Sequence, residues 1–535
     1  MTELQVDVVV VGGGLGGVAA AIAAVDAGRS VVLTEESDWV GGQLTSQAVP
    51  PDENPWIEQF GCTARYRRLR EEMRDYYRRW YPLSEEARTA RYLNPGRGAV
   101  SSLCVEPRVG LAVLEAMLSA PRSAGRLQVL LEHCPVGATV DGDHVTSVTL
   151  EGPDGAHVTV LAPYVLDATE TGDLLALAGV EHVTGAESRQ QTGEPHAPEQ
   201  SQPLNMQAVS WCFALDHVEG DDHTIDQPAS YDHWRKLEPP AWTGPLLSFV
   251  APVPRTNEPL RRTLVPNPDQ GVEAVVDHRT VGGDFELWAF RRIADRRTFA
   301  PGHLASDVTL VNWPMIDYFE GPLYGVGEEA AARHLQGARE LSLSFLYWLQ
   351  TEAPRHDGGI GYPGLRLRPD VVGTADGLAK RPYIRESRRI LAEYTVVEQD
   401  LALELRPDGR GVRYPDSVGV GSYRIDLHPS TGGDPYIDVA SCPFEIPLRA
   451  LIPRRVENLL PAAKNLGTTH VTNGCYRLHP VEWGVGEVAG SLAAFCLERA
   501  CTPRQVCVDQ RLLEEFQARL VRDGVELRWP EVTGY

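Results

Sequence analysis

The stretch Val6 to Glu36, VDVVVVGGGLGGVAAAIAAVDAGRSVVLTEE, constrains this chain most, because it spells a complete βαβ unit in one run. Val6 to Val11 is an apolar, β-branched strand. Ala19 to Ala27 is a small-residue helix ended by Gly28, and Val31 to Thr34 is a second strand closed by Glu35. Between strand and helix, Gly12, Gly14 and Gly17 give G-x-G-x-x-G. Gly12 permits a tight turn, Gly14 lets backbone approach a pyrophosphate, and Gly17 lets the helix pack close on the strand. The helix N-terminus offers free N–H groups and the positive end of a dipole to phosphates. Glu35 lies 18 residues beyond Gly17, where a carboxylate accepts bonds from an adenosine ribose. Strand, glycines, helix, strand and acid in this order predict dinucleotide binding. A signal peptide or membrane span does not fit: Glu3 and Asp7 stand where a basic segment should be, and glycines interrupt the apolar run.

At 535 residues the chain is too long for one core, so two or more domains are expected. A net charge of −23 argues against nucleic acid and against an anionic membrane as partners. Nine cysteines, with no C-x-x-C and no signal peptide, read as reduced thiols and predict a cytoplasmic protein. Cys496 and Cys501 have a C-x4-C spacing, but they lie at the tail of a C-terminal helix, far from the fingerprint, and read as structural. No His/Cys/Asp cluster has metal-ligand spacing, so no metal is expected.

Gly41 and Gly42 make a second glycine turn beside the compact polar residues Gln43, Thr45, Ser46 and Gln47. Residues 51–105 read as a helical insertion. Within it, Ala64 to Tyr81 carries an aromatic stripe at helical spacing and a solvated arginine face. Helix is predicted for Pro107 to Ala120, strand for Leu127 to Glu132, and a hairpin for Val145 to Leu150 with His157 to Leu161. A short strand, Tyr164 to Asp167, runs through D-A-T-E-T-G-D into a helix from Leu174. The polar, Pro-rich run 185–205 marks a boundary. Residues 191–439 read as a substrate domain, with a strand-like run Phe285 to Ile293 and a long helix Glu328 to Gln350. Gly359, Gly361 and Gly364 repeat the G-x-G-x-x-G spacing but lack the strand and helix, so they are a decoy. Strands follow at Phe444 to Ile452 and Asn458 to Ala462, helices at Glu482 to Arg499 and Asp509 to Arg522.

Taken together, several segments resemble the FAD-dependent oxidoreductases of the broad glutathione-reductase-like type, in a poorly characterised bacterial branch. They are GGGLGG with GGQLTSQAV, LNPGRGAVSSLCVEPRVGLAVLEAML, LDATETGDLLALAGV, YIRESRRI, DSVGVGSYRIDLH, and NLLPAAKNLGTTHV with YRLHPVEWGVGEVAG. The resemblance covers nearly the whole chain and implies an α/β fold: a discontinuous Rossmann-like FAD domain joined to a mixed α+β substrate domain. Residues 1–190 would return to the same sheet with 440–505, and 506–535 would form a C-terminal helix and tail. Gly12, Gly14 and Gly17 would hold the pyrophosphate and Glu35 the ribose. Gly42, Gln43 and Thr45 would line the flavin side. Val136 would meet adenine through its backbone, and Asp167, Ala168 and Asp173 would close the adenosine side. Gly484 and Gly486 would begin a helix whose positive end faces the flavin. One departure is Glu170, where flavoproteins commonly have glycine after D-A-T.

Flavin oxidation of a C–H bond needs a base for the O–H or N–H proton and a polar group to hold the oxygen or carboxylate. His479 titrates in a useful range and precedes the C-terminal flavin helix, so it is the first acid/base candidate; Arg477 can clamp an anion. Tyr383 and Arg385 form a second candidate stretch with Glu386, Arg388 and Arg389, and His470, Asp426 and His428 follow. Three functions fit. One is a flavin oxidase or dehydrogenase acting on a small alcohol, sugar or amine, with oxygen or a redox partner as electron acceptor. The second is a C=C reductase or monooxygenase fed by NAD(P)H or a partner. The third is a non-catalytic flavoprotein. A single fingerprint disfavours a dedicated pyridine nucleotide domain.

Overall fold

The computed structural model describes residues 2–268 and 286–535. Its fingerprint unit forms as the sequence predicts. Strand β1 (Val8–Val11) leads through the glycines into helix α1 (Leu15–Asp26), and β2 (Val31–Glu35) returns beside β1. The insertion contributes helix α2 (Ala64–Trp80). Helix α3 (Pro107–Ser123) leads to β3 (Leu127–Leu131), and β4 (Tyr164–Asp167) ends in the D-A-T turn. Far along the chain come helix α4 (Glu328–Thr351), strand β5 (Leu459–Pro461), helix α5 (His470–Tyr476) and helix α6 (His479–Arg499).

Five strands, all parallel, form the central sheet in the order β5-β4-β1-β2-β3. β1, β2 and β4 are buried at every position, which is why they read as unbroken apolar runs rather than alternating ones. β5 pairs Leu459 with Val165, so a strand from the last quarter of the chain completes a sheet begun at residue 8. This is a Rossmann-like α/β fold. The predicted hairpin forms as well, with His144–Glu151 antiparallel to His157–Leu161. A separate antiparallel sheet is built from Arg292–Ala294, Val308–Val311, Phe213–His217 and Leu365–Leu367.

Helices α1 and α6 meet along small residues. A Cβ on Gly486 would lie 1.9 Å from the Gly16 carbonyl oxygen, and one on Gly490 would lie 2.1 Å from that of Ala20. Only glycine permits backbones this close, and the closeness fixes α6 over the opening of α1. Gly486→Ala should therefore force the helices apart and destabilise the fold by about 1–3 kcal/mol. A thermal unfolding midpoint equal to the parent's would contradict this packing.

Three expectations fail for physical reasons. Arg70 and Arg74 of α2 are fully buried, not solvated, because the insertion supplies Glu53 and Glu58 as partners at 2.8 and 2.5 Å; Trp80, at the helix end, is 67% exposed instead. In the run Phe285 to Ile293, Phe285 lies outside the described residues. Leu287–Phe290 is helical, because the Glu286 carboxylate accepts from the N–H groups of Trp288 and Ala289. The last long helix starts at His479 rather than Glu482, with Leu478 as its extended N-cap. Among the described residues, no helix is long and apolar enough to cross a membrane.

Candidate active site and cofactor cradle

The turn after β1 is built as a cradle. Gly12 has φ +102°, and a Cβ there would lie 2.2 Å from the Ala168 carbonyl oxygen, so only glycine can make the turn. A Cβ on Gly17 would lie 1.9 Å from the Gly12 carbonyl oxygen. Gly14 differs: a Cβ there would meet only carboxylate oxygens of Glu170 and Glu482, at 3.1 and 3.2 Å. The second glycine turn is tied to the first, since Gly41 N–H donates to Gly13 O at 2.7 Å. A cavity of about 180 Å³ opens here, lined by Gly12 to Gly14, Glu35, Glu36, Gly42 and Ala168 to Thr171, and roofed by Leu323 and Leu335 with Arg381 and Ile384.

The expected cofactor residues gather around this cavity unevenly. Glu35 ends β2 as predicted, accepting from Gly13 N–H at 3.0 Å and from Ser37. Gln43 donates to Glu482 at 2.5 Å and to Arg477 O at 3.1 Å. Thr45 spends its hydroxyl on Val40 O at 2.6 Å, tightening the turn. Asp167 is fully buried and fixes the D-A-T turn by accepting from Thr169, and Ala168 donates its N–H back to Val11 O. Asp173 pairs with Arg388 at 3.0 Å on the rim. Val136 is 43% exposed; its neighbour Pro135 and His133 line the cavity. Gly484 and Gly486 are not at the helix start. They lie within α6, where Gly486 serves helix packing and a Cβ on Gly484 would meet nothing within 4 Å.

These residues fit a flavin dinucleotide. Two carboxylates already lie at the opening of α1, where an anion belongs: Glu482 Oε1 accepts from Gly16 N–H at 3.2 Å, and Glu170 Oε1 lies over Gly14 and Gly42. The amide oxygens of Gln43 and Gln47 are buried beside them with no protein partner, ready for a polar ligand. Burial, then the Glu36 carboxylate, pushes Glu35 up to about 8, and burial pushes Asp167 up to about 7. The folded chain thus keeps the Glu35 proton up to about pH 8, whereas the unfolded chain releases it near 4.5. As pH rises between those values, this group costs the ligand-free fold stability, up to about 5 kcal/mol. Glu35→Gln should then raise the urea midpoint of ligand-free protein at pH 8 and leave it unchanged at pH 4. Equal gains at both pH values would contradict the assignment.

Arg477, Tyr383 and Arg385 are brought together, with three residues that complete a ring. Arg477 donates to Tyr383 Oη at 2.8 Å and to Asp426 Oδ2 at 3.1 Å. Asp426 lies 3.6 Å from His428 Nε2, and His428 Nδ1 lies 2.6 Å from Asp317 Oδ2. Asp317 Oδ1 accepts from Arg385 at 3.0 Å, and the Arg385 guanidinium stacks 4.9 Å from the Tyr383 ring centre. Burial raises the Asp317 carboxyl, but Arg385 and His428 outweigh it and hold it at about 2. Asp426 and His428 ranked low as candidates, and Asp317 was missed. The i, i+2 spacing in Asp426-Leu427-His428 was a usable signal for one strand face; nothing local marks Asp317. The remaining residues of the Arg/Glu stretch turn elsewhere: Glu386 and Arg389 form a buried network with His470 and Glu187.

His479 does not join the ring. Its Nε2 donates to Val49 O at 3.3 Å, its Nδ1 accepts from Asp52 N–H at 3.2 Å, and burial pushes the imidazole down to about 4. Both ring nitrogens are spent on the 49–52 loop, so the expected acid/base role does not fit. His479→Ala should leave the rate of flavin reduction within a few-fold of the parent, yet cost about 1–3 kcal/mol by stranding buried backbone groups. A large rate loss at unchanged stability would restore the catalytic reading. In space, though not in sequence, His196, Glu398 and Glu404 offer possible ligand atoms within 4.8 Å of one another.

No curated protein matches the chain in sequence. Solved structures resemble it weakly. L-proline dehydrogenase from P. horikoshii is 16% identical, aligned over 34% of this chain and 24% of its own, with a TM-score of 0.18. A geranylgeranyl bacteriochlorophyll reductase-like protein from Thermoplasma acidophilum is 10% identical over 98% and 85%, with a TM-score of 0.35. The myxobacterial chondrochloren halogenase CndH is 13% identical over 97% and 80%, with a TM-score of 0.32. The chain thus spans about a quarter of the length of the first of these. Similarity at this level says nothing of substrate. The family described as FAD dependent oxidoreductase, in contrast, matches residues 7–520. With the fingerprint and the return strand, that match makes the chain a member of the FAD-dependent oxidoreductase family, an enzyme with FAD as its cofactor.

Proposed function

We propose that this enzyme dehydrogenates a small polar substrate at a carbon bearing a hydroxyl or amino group, and that the ring around His428 is its acid/base and binding machinery. The observation that carries the reading is the His428–Asp317 contact of 2.6 Å inside a ring of paired charges, of which Asp317, Arg385 and Arg477 are buried. Gly12, Gly14, Gly17 and Glu35 would hold the ADP half of FAD, and Gln43 with Gln47 the flavin side. Bound FAD supplies a hydride acceptor at N5. The chain's own residues do the rest. Asp317 accepts from His428 Nδ1–H and so leaves Nε2 as the atom that takes the O–H or N–H proton. Asp317 and Asp426 flank the imidazole on both sides. Arg477 and Tyr383 present a cation and a hydroxyl that can hold the substrate oxygen, and Arg385 keeps Tyr383 in place. Both arginines are already paired with aspartates, so the ring suits a neutral polar substrate better than a strongly charged one. A steady-state screen with an artificial acceptor dye tests this: at least one class among alcohols, sugars and amines should be turned over without NAD(P)H. Dye reduction with NAD(P)H as the only working donor would overturn it.

A further inference from the structure

Glu170, the departure from the flavoprotein pattern, is used neither by the sheet nor by the proposed chemistry, yet its carboxylate lies over the cradle. Its Oε1 is 3.1 Å from where a Cβ on Gly14 would be and 2.9 Å from the same point on Gly42. Its Oε2 accepts from Lys464 Nζ. Lys464 lies between β5 and α5 and is only 2% exposed. Its second neighbour is Glu482 Oε2 at 3.8 Å. Glu482 in turn is held by Gly16 N–H at 3.2 Å and by the Gln43 amide at 2.5 Å. One buried ammonium is therefore shared by two carboxylates at the opening of α1. The arginines nearby are engaged at the rim, Arg381 with Glu36 at 3.0 Å and Arg388 with Asp173 at 3.0 Å.

A pyrophosphate brings two negative charges into a space already lined by Glu170 and Asp173. Placing anion beside anion in a buried site is costly unless a cation sits between them. We propose that Lys464 is the cation that pairs with the FAD pyrophosphate, and that Glu170 is a placeholder whose carboxylate holds Lys464 at the mouth of α1 until the phosphates take its place. A placeholder is physically useful because an unpaired buried ammonium would destabilise the ligand-free fold. Lysine is a compact point charge on a flexible stem, so it can change partner without rebuilding the loop. Burial also raises the Glu482 carboxyl above its usual range. The inference rests on the FAD cradle and is independent of the substrate reading.

Titration of deflavinated protein, read by flavin fluorescence quenching, tests it, with FAD as one probe and riboflavin, which lacks phosphate, as the other. Glu170→Gln removes the competing carboxylate and keeps its shape; it should bind FAD about tenfold more tightly than the parent. The double variant Lys464→Met/Glu170→Gln removes both charges of the short ion pair together and leaves Glu482 its partners Gly16 N–H and Gln43. It should bind FAD about 10–100-fold more weakly than Glu170→Gln, with riboflavin affinity unchanged. Glu170→Gln binding FAD no more tightly than the parent would overturn the placeholder role. A double variant that matches Glu170→Gln for FAD, or loses riboflavin in parallel, would overturn the role of Lys464.

Discussion

Replacing His428 with alanine should slow anaerobic reduction of the flavin by substrate about 10²–10⁴-fold, because a positioned general base contributes that much. Flavin content should stay normal, since His428 contacts Asp317 and Asp426 and is not among the described residues that line the cofactor cavity. Asp317→Asn should act in the same direction. It keeps the shape but removes the charge that pairs with Arg385 and lies against His428 Nδ1. The two effects should be far from additive, because both variants remove one function. Rapid-mixing absorbance reads the rate, and the decisive comparison is His428→Ala against His479→Ala. A rate that falls with His479 and not with His428 would move the chemistry to the 49–52 loop.

The second large effect concerns the cofactor. Gly14→Val should yield a folded protein that has lost FAD, with affinity lower by at least about 100-fold, close to 3 kcal/mol. The first atom of the new side chain meets only side-chain oxygens of Glu170 and Glu482, at 3.1 and 3.2 Å, and no backbone atom. The valine methyls then fill the place where backbone must approach phosphate. Gly17→Val is the contrasting case. Its Cβ would lie 1.9 Å from the Gly12 carbonyl oxygen, so it should unfold the βαβ unit itself. Circular dichroism and flavin released per chain separate the two. A Gly14→Val protein with full flavin would contradict the cradle.

The fold was legible where its cause is local. An unbroken apolar run means a strand buried on both faces, and Tyr164–Asp167 forms over the predicted range. The small-residue runs at α1 and α6 announce close-packed helices. The candidate site was legible only in part, because long-range partners decide it. His479 looked catalytic from its place before a helix, but Val49 and Asp52, more than 420 residues away, claim both ring nitrogens. The role proposed for His428 rests on Asp317, 111 residues earlier, which carries no motif. Arg70 and Arg74 looked solvated until the insertion folded Glu53 and Glu58 against them. Charge runs show how many ions there are; only the fold decides which of them are paired inside.

One measurement bears most directly on the central claim that this enzyme takes electrons from a polar substrate onto FAD. The purified, flavin-loaded protein is mixed anaerobically, without NAD(P)H, with a panel of alcohols, sugars and amines, and the flavin absorbance is followed in a single turnover. The predicted result is bleaching by at least one class. Bleaching by NADH or NADPH alone, with every substrate class inert, would contradict it.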